Sequence, residues 1–173
     1  MEIGVIGLNQ NAYMLCKHWL KGGHKIFFAD LHLYSKNYAI AESLGPNVTL
    51  SPPDRAARKS EFIVLAVASR KIATAVKQLG DIQQKIVVDL VNEDYRQPNE
   101  STFNQIQLAL PEAKVVKLTN DYPLNILYPK SEGSKVLYSY SNDRLAQRLV
   151  NWSIAGSGYK MIDLENIIDL TQK

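Results

Sequence analysis

Hydrophobic positions along the chain follow two patterns that alternate from one end to the other. Short runs that are almost entirely apolar, such as 62–67, indicate strands covered on both faces. Between such runs, apolar residues recur every three or four positions, as at Ala12, Leu15 and Trp19, which indicates amphipathic helices. We predict strands at 3–6, 24–29, 48–50, 62–67, 85–91, 113–118, 134–138 and 159–164.

The predicted helices fill the gaps between these strands. They lie at 12–20, 34–44, 72–79, 102–110 and 143–153, and a further helix begins at 51–54. In the last helix we expect Leu145, Leu149 and Trp152 to face inward, because they recur on one side. Strands and helices that alternate at this spacing predict an α/β fold with a doubly wound, mostly parallel sheet.

The predicted topology also indicates where a ligand would bind. In such sheets, ligands sit in a crevice outside the carboxyl ends of the strands. The residues at those ends are Gly7 to Asn11, Asp30 to His32, Ala66 to Arg70, Asn92 and Thr119 to Asp121. We therefore expect these residues to line one crevice.

A glycine turn joins the first strand to the first helix. Gly7-Leu8-Asn9-Gln10-Asn11-Ala12 occupies the positions of the G-x-G-x-x-G/A fingerprint, in which N–H groups at the helix N-terminus hold a pyrophosphate. Gly7 matches the first glycine, and Ala12 is a permitted variant. Asn9 tolerates the backbone of the turn, but its side chain occupies room beside the phosphates. The turn predicts dinucleotide binding through a weakened fingerprint.

Asp30 stands at the end of the second predicted strand, 23 residues after Gly7. An acidic residue at this place hydrogen-bonds the adenosine ribose of a dinucleotide. It favours NAD(H), because it would repel the additional 2′-phosphate of NADP(H). His32 and Lys36 could offer that phosphate a partial counter-charge if Asp30 turns away. From these residues we predict a preference for NAD(H).

Composition and charge narrow the class of protein. The 173 residues carry a net charge of +3 with Lys and Arg scattered, which gives little support to a nucleic-acid or membrane partner. The length suits a single dinucleotide-binding domain over residues 1–173, and with no membrane span we expect a cytoplasmic protein.

The cysteine and the histidines give no sign of a reactive thiol or a metal site. Cys16 is the single cysteine and lies on an apolar helix face, so we expect an inert thiol. His18, His24 and His32 have no Cys or acidic partners at ligand spacing, and no metal site is expected.

Several motifs beyond the first turn resemble one family. They are Gly22-Gly23-His24 before the second strand, V-L-A-V at 64–67, V-V-D-x-x-N at 87–92 and A-K-V-V-K-x-x-N at 113–120. With the N-terminal strand and turn they resemble the coenzyme F420-dependent NADP oxidoreductase family. That family includes the reductase domain of the STEAP metalloreductases and belongs to the pyrroline-5-carboxylate reductase-like Rossmann proteins. The last two motifs form the more telling pair.

The resemblance implies a Rossmann fold, a bound NADP(H), and hydride transfer to a second cofactor, a flavin or deazaflavin, stacked on the nicotinamide. It assigns Gly7, Leu8, Gln10 and Asn11 to the phosphate turn, Val67, Ala68 and Ser69 to the segment beside the ribose and pyrophosphate, and Asn92 and Asn120 to the nicotinamide end. One departure concerns the cofactor. Asp30-Leu31-His32 stands where members of the family carry N-S-R or a similar segment, so the Arg that would read a 2′-phosphate is missing.

Three functions are open at this point. The first is an NAD(P)-dependent oxidoreductase. The second is a non-catalytic Rossmann module that binds nucleotide weakly or not at all and acts by interaction or regulation, with Asn9 as its main support. The third is another nucleotide chemistry, such as methyl transfer from S-adenosylmethionine. We also predict a homodimer, because one such domain leaves the nicotinamide side open, and the segment 126–140 and the Trp152 helix are apolar enough to close it.

Overall fold

A computed structural model describes residues 1–32, 35–92, 101–120 and 135–164 of the chain. The strands are β1 (Glu2–Ile6), β2 (Lys25–Ala29), β3 (Val48–Leu50), β4 (Phe62–Leu65), β5 (Ile86–Asp89), β6 (Lys114–Thr119), β7 (Lys135–Ser141) and β8 (Tyr159–Asp163). The helices are α1 (Gln10–Lys21), α2 (Asn37–Glu42), α3 (Pro53–Lys59), α4 (Ile72–Leu79), α5 (Thr102–Ala109) and α6 (Arg144–Ile154). The predicted order of strands and helices is confirmed, and the differences lie in a few residues at the ends of each element.

The strands of these ranges form one sheet in the order β3-β2-β1-β4-β5-β6-β7-β8. Each described pair of neighbours is parallel apart from β6 and β7, which run antiparallel. The chain winds outward from β1 to β3 on one side, returns to β4 beside β1, and then winds outward on the other side. This is the predicted doubly wound sheet, and its switch point lies between β1 and β4.

Helices cover both faces of the sheet, which explains why the central strands are apolar on both sides. On one face α1 packs beside α6, and the Trp19 indole N–H donates to the Ser153 carbonyl over 3.0 Å. On the other face α3, α4 and α5 enclose a second core that includes Leu65 and Ile106. Cys16 lies in the first core, where burial raises the pKa of its thiol to about 12, so the thiol is unreactive at neutral pH.

The inward face predicted for α6 is wrong. Leu145, Leu149 and Trp152 are 69%, 58% and 70% exposed. A second stripe of the same helix, with Ala146 and Val150, faces the sheet instead. Both stripes repeat at helical spacing, and the one with smaller side chains lets the helix approach the sheet closely. α6 therefore leaves its largest apolar side chains in solvent. In the part of the chain that the structure describes, no helix combines the length and the apolar character needed to cross a membrane.

Candidate functional site

The carboxyl ends of the central parallel strands meet at one edge of the sheet. Backbone hydrogen bonds join them directly: the Gly7 N–H donates to the Ala29 carbonyl over 2.8 Å, and the Leu90 N–H donates to the Leu65 carbonyl over 2.9 Å. The predicted site residues lie where the strands end: Gly7, Leu8, Asn9, Gln10 and Asn11 after β1, Asp30, Leu31 and His32 after β2, Val67, Ala68 and Ser69 after β4, Asn92 after β5, and Asn120 after β6. These residues therefore share one edge of the sheet, and their contact with a cofactor stays a prediction.

Gly7 is required by the geometry of this edge. Its φ angle is +79°, a left-handed conformation that favours glycine. A Cβ atom on Gly7 would lie 2.8 Å from the Ala66 carbonyl oxygen and 2.9 Å from a methyl group of Val67. The turn after β1 is therefore pressed against the end of β4, and this contact directs the chain into the N-terminus of α1.

The oxygen and the nitrogen of the Asn9 side-chain amide each make a hydrogen bond to the backbone. Its Oδ1 accepts the Ala12 N–H over 2.9 Å, which caps α1, and its Nδ2 donates to the Leu90 carbonyl over 2.7 Å. Asn9 thus ties the first turn to the end of β5. The sequence indicated only an obstacle beside the phosphates, because the partner, Leu90, lies just past β5 and 81 residues away.

Asp30 is partly exposed, and its carboxylate is engaged by its own loop. One oxygen accepts the Ser35 hydroxyl over 2.9 Å and the Asn37 side-chain amide over 2.7 Å, and the other accepts the His32 N–H over 3.4 Å. The Tyr38 hydroxyl lies 3.1 Å from the Asp30 amide nitrogen. The carboxylate is therefore held in place by neutral donors from the segment that follows it.

Two basic side chains meet beside this loop. His32 Nε2 lies 2.8 Å from Lys71 Nζ, and both groups are exposed. Lys71 ends the short 3-10 turn Ser69–Lys71 after β4, so the contact joins the loop after β2 to the start of α4. We call His32 and Lys71 the basic corner. Because an ammonium has three N–H groups, an anionic group placed here could accept a hydrogen bond from Lys71 while Lys71 keeps its contact with His32.

A cavity of about 280 Å³ opens beside the N-terminus of α1. The Tyr159 hydroxyl donates to Asn11 Oδ1 over 3.3 Å, and partial burial raises the pKa of Tyr159 above its usual 10.0, so the phenol stays protonated at neutral pH. We call this space the Tyr159 cavity; its lining residues are Gln10, Asn11, Met14, Asn120, Lys135, Val136 and Tyr159.

The sequence did not identify Tyr159, Met14 or Lys135 as lining residues. Because β7 runs antiparallel to β6 and β8 runs parallel to β7, both strands begin at the edge where the parallel strands end. A rule based on carboxyl ends therefore overlooks them. The sequence could have indicated Lys135 and Tyr159 only as the first residues of late strands. Recognising them as lining residues requires the direction in which β7 and β8 pair to be known. The predicted Asp121 lies outside the described residues.

Below the edge, an ion pair is buried between β5 and β6. Asp89 is fully buried, the Lys117 side chain is 2% exposed, and Lys117 Nζ lies 3.1 Å from Asp89 Oδ2. The Thr102 hydroxyl, at the start of α5, donates to Asp89 Oδ2 over 2.6 Å. Burial raises the pKa of the Asp89 carboxyl, while Lys117, Thr102 and the Val91 N–H each act to lower it. We call Asp89, Thr102 and Lys117 the Asp89 cluster.

The Asp89 cluster also holds the backbone just past β5. The Val91 N–H donates to Asp89 Oδ1 over 2.9 Å, and Lys117 Nζ donates to the Val91 carbonyl over 2.9 Å. The two motifs that carried the family resemblance, at 87–92 and 113–120, thus contribute the two charges of one ion pair. Within the described ranges, no three His, Cys, Asp or Glu side chains lie close enough together to hold a metal ion.

Comparison with known families gives a match that covers more than half of the chain. The model of the family described as "NADP oxidoreductase coenzyme F420-dependent" matches residues 2–93. A comparison with curated proteins found no match.

Solved structures resemble nearly the whole chain. A proposed F420-dependent NADP reductase from Arthrobacter sp. is 22% identical with a TM-score of 0.74, over 95% of this chain and 84% of that one. A hypothetical protein from Sinorhizobium meliloti is 25% identical with the same TM-score and the same coverage. Pyrroline carboxylate reductase from Plasmodium falciparum, solved with NADP bound, is 16% identical with a TM-score of 0.65, over 94% of this chain and 57% of that one. The likenesses below 25% identity show a shared fold.

Proposed function

Because the chain belongs to the coenzyme F420-dependent NADP oxidoreductase family, we propose that it transfers hydride between NADP(H) and a second, flavin-like cofactor or small substrate. One observation carries the proposal. The basic corner joins the loop after β2 to the turn after β4, and the Tyr159 cavity lies between the first turns of α1 and the part of the sheet formed by β6, β7 and β8. The Gly7 turn, at the end of β1, leads into the same first turn of α1. An extended dinucleotide with its pyrophosphate at the Gly7 turn would reach the basic corner with its 2′-phosphate and the Tyr159 cavity with its nicotinamide.

At the adenosine end, the contacts of Asp30 favour NADP(H). The NAD(H) preference predicted from the sequence rests on a carboxylate available to the ribose hydroxyls. In the structure, Ser35 and Asn37 already donate to that carboxylate, which holds it in its own loop. Lys71, which contacts His32, offers the positive charge that the missing Arg would supply. The NAD(H) preference stays a prediction, and it is the outcome against which our proposal is tested.

At the nicotinamide end, the Tyr159 cavity supports a second reactant. Hydride transfer between stacked rings requires close positioning more than a strong acid. The reduced nicotinamide would give its hydride to the acceptor and leave as NADP⁺, while the acceptor takes one proton from solvent. Asn120 and Tyr159 line the space in which the acceptor would lie, and the Tyr159 hydroxyl is a hydrogen-bond donor at neutral pH. A flavin or a deazaflavin has the ring chemistry to accept a hydride in this way.

Titration of the purified protein with NADPH, NADH and S-adenosylmethionine tests the choice of cofactor. We expect NADPH to bind at least about tenfold more tightly than NADH, because charge-assisted hydrogen bonds to the 2′-phosphate contribute roughly 1.5–3 kcal/mol. Lys71→Ala should remove most of that difference and leave NADH binding unchanged. Lys77→Ala is the matched control, because Lys77 is an exposed lysine on α4, the helix that follows Lys71.

Each alternative function predicts a different titration. Equal or tighter binding of NADH would overturn the proposed NADP(H) preference and support the NAD(H) prediction from Asp30. No binding of either nicotinamide cofactor would support the non-catalytic module. Binding of S-adenosylmethionine alone would support methyl transfer.

We also propose that the protein is a cytoplasmic homodimer that associates through α6. Leu145, Leu149 and Trp152 form an exposed stripe along this helix. A two-fold axis near Leu149 would place Leu145 of one copy against Trp152 of the other, so the stripe is complementary to itself in an antiparallel helix pair. Residues 126–134 of the other predicted dimer segment lie outside the described part of the chain.

The mass in solution tests the dimer. We expect light scattering at micromolar concentration to give about twice the 19.5 kDa of one chain. Leu149→Glu should shift the mass to one chain, because it places two like charges at the proposed axis. Leu108→Glu should leave the mass unchanged, since Leu108 is 71% exposed on α5, which covers the opposite face of the sheet. A parent protein with the mass of one chain would contradict the proposal.

A further inference from the structure

The Asp89 cluster buries two charges, which is unfavourable for the free energy of folding. Removing two charges from water carries a desolvation penalty of several kcal/mol for each, and apolar residues of similar size are often as stable or more stable. Asp89 and Lys117 face each other across adjacent strands of a core that is otherwise apolar, where two apolar side chains would fit the surroundings. Stability alone therefore gives a poor account of this ion pair, and its contacts indicate another role.

Those contacts converge on one short stretch of backbone. Asp89 accepts the Val91 N–H and Lys117 donates to the Val91 carbonyl, so both polar groups of Val91 are held by charged side chains. The preceding carbonyl, that of Leu90, accepts the Asn9 amide. The residue that follows is Asn92, which lies at the edge of the sheet after β5 and which the proposed function assigns to the nicotinamide end. Side chains from the Gly7 turn and the Asp89 cluster therefore fix the backbone that leads into Asn92.

The Thr102 hydroxyl completes this arrangement. It lies 2.6 Å from both Asp89 Oδ2 and Lys117 Nζ, where it accepts from the ammonium and donates to the carboxylate. The hydrogen bond from Lys117 to Thr102 uses one N–H of the ammonium and fixes its direction. Another N–H of the same ammonium donates to the Val91 carbonyl. The hydroxyl therefore sets the geometry of the contact between Lys117 and the Val91 carbonyl.

We propose that Asp89, Thr102 and Lys117 are positioning residues, which hold Val91 and Asn92 so that the nicotinamide half of the bound cofactor is oriented for hydride transfer. This inference rests on the proposed function. It assigns the buried charges a role in placing the reactive ring, and none in binding the adenosine half. The cluster acts through the backbone of Val91 and contacts neither cofactor nor substrate.

Two matched variants of Thr102 separate positioning from folding. Thr102→Val keeps the shape of the side chain and loses the hydroxyl, whereas Thr102→Ser keeps the hydroxyl. Each variant is titrated with NADPH, followed through the nicotinamide fluorescence, and with adenosine 2′,5′-bisphosphate, which carries only the adenosine half. We expect Thr102→Val to weaken NADPH about fivefold or more and to change the bound nicotinamide spectrum, with the bisphosphate affinity unchanged. Thr102→Ser should restore both properties of the parent.

A double variant tests the positioning role in a protein that is expected to be as stable as the parent. Asp89→Leu with Lys117→Met replaces the ion pair by apolar side chains and should retain a cooperative unfolding transition. We expect it to bind the bisphosphate like the parent and NADPH about tenfold more weakly, because the Val91 backbone loses both charged partners.

The outcomes distinguish this inference from the proposed function. If the parent binds NADPH and all variants bind it equally well, the positioning role is wrong and the proposed function stands. If NADPH and the bisphosphate weaken by the same factor, the cluster has only a structural role, and the inference is overturned. If the parent binds no NADPH, the proposed function fails and the inference fails with it.

Discussion

Asp30 and Asp89 both stand where a parallel strand ends, yet the protein uses them in opposite ways. Asp30 is partly exposed, and the groups that donate to its carboxylate are the neutral side chains of Ser35 and Asn37 together with a backbone N–H. Asp89 is fully buried, and its main partner is the ammonium of Lys117. The donors around Asp30 are neutral and belong to one loop near the surface. The partner of Asp89 cannot be exchanged, because the ion pair is enclosed by the core.

The difference shows that position at a strand end does not define the role of an acid. Burial and the charge of the partner decide it. The first half of the chain, which the family model matches, contains both acids, but the lysine that pairs with Asp89 lies beyond residue 93. The edge beside Asp30 is thus built from partly exposed contacts with neutral donors, and the edge beside Asp89 rests on a buried ion pair.

The largest effect we predict comes from breaking the buried pair. Lys117→Met leaves Asp89 buried without its partner, and the free energy of unfolding should fall by about 3–5 kcal/mol. The measurement is urea unfolding at neutral pH. Lys114→Met is the control on the same strand, because Lys114 makes a half-exposed ion pair with Asp143, and it should cost less than about 1 kcal/mol.

The comparison of the two acids fails if these two lysine variants are equally stable. It is sharpened by a further substitution in the Lys117→Met background. Adding Asp89→Leu removes the unpaired charge and should recover most of the lost stability. Asp30→Asn in the parent should cost less than about 1 kcal/mol, since the remaining amide keeps an acceptor for Ser35.

A smaller effect on stability is expected at Asn9, which connects the turn after β1 to the backbone just past β5. Asn9→Gly removes the hydrogen bond to Leu90 and the cap of α1, and we expect the unfolding free energy to fall by about 1–1.5 kcal/mol. The same change clears the space beside the phosphates, so dinucleotide affinity should rise. Calorimetric titration and urea unfolding of one preparation measure both quantities.

Asn9→Ser separates the two contacts, because serine keeps an acceptor for the helix cap and has no reach to Leu90. If Asn9→Gly is as stable as the parent, the tie between the first turn and β5 contributes nothing. If it is less stable and binds dinucleotide no better, the steric argument from the sequence is wrong.

The fold could be predicted from the sequence because local patterns determine it. Apolar runs and helical spacing are properties of neighbouring residues, and the alternation of the two patterns leaves few topologies. The error at α6 has a physical cause as well. The stripe with Leu145 and Trp152 and the stripe with Ala146 have the same period, and the choice between them depends on how closely the sheet lets a helix approach. That information is absent from the helix itself.

The site could be predicted only as far as the strand ends. Asn9 and Asp30 were identified by their spacing, but their partners were not. Asn9 bonds to a carbonyl 81 residues away, and the side chains that occupy Asp30 lie in a loop with no distinctive pattern. Lys117 was identified as part of a motif without a role, because its meaning depends on a register between two strands. Tyr159 was overlooked for the same reason.

The smallest effect we predict uses Asp143, an aspartate whose environment differs from those of Asp30 and Asp89. Its Oδ1 accepts the Ala146 N–H over 2.8 Å and caps α6, and Lys114 lies 3.5 Å from its other oxygen. The Ala146 N–H foremost, and then Lys114, hold the pKa of this carboxyl below its usual 3.8, whereas burial raises the pKa of Asp89. Asp143→Ala should lower the unfolding free energy by about 1 kcal/mol at neutral pH.

The pH dependence gives this last prediction its sign. A carboxyl with a lowered pKa in the folded protein contributes stability above its usual pKa, and that contribution is lost as the pH falls through the folded value. The stability difference between parent and Asp143→Ala should therefore be constant at neutral pH and shrink once the pH falls below 3.8. Asp143→Asn keeps the cap without the charge, and its deficit should be smaller and should also vanish in acid. A difference between parent and Asp143→Ala that stays the same down to about pH 3 would mean that the charge of this partly exposed acid contributes nothing. The conclusion that burial decides what an aspartate contributes would then depend on the comparison of Asp30 with Asp89 alone.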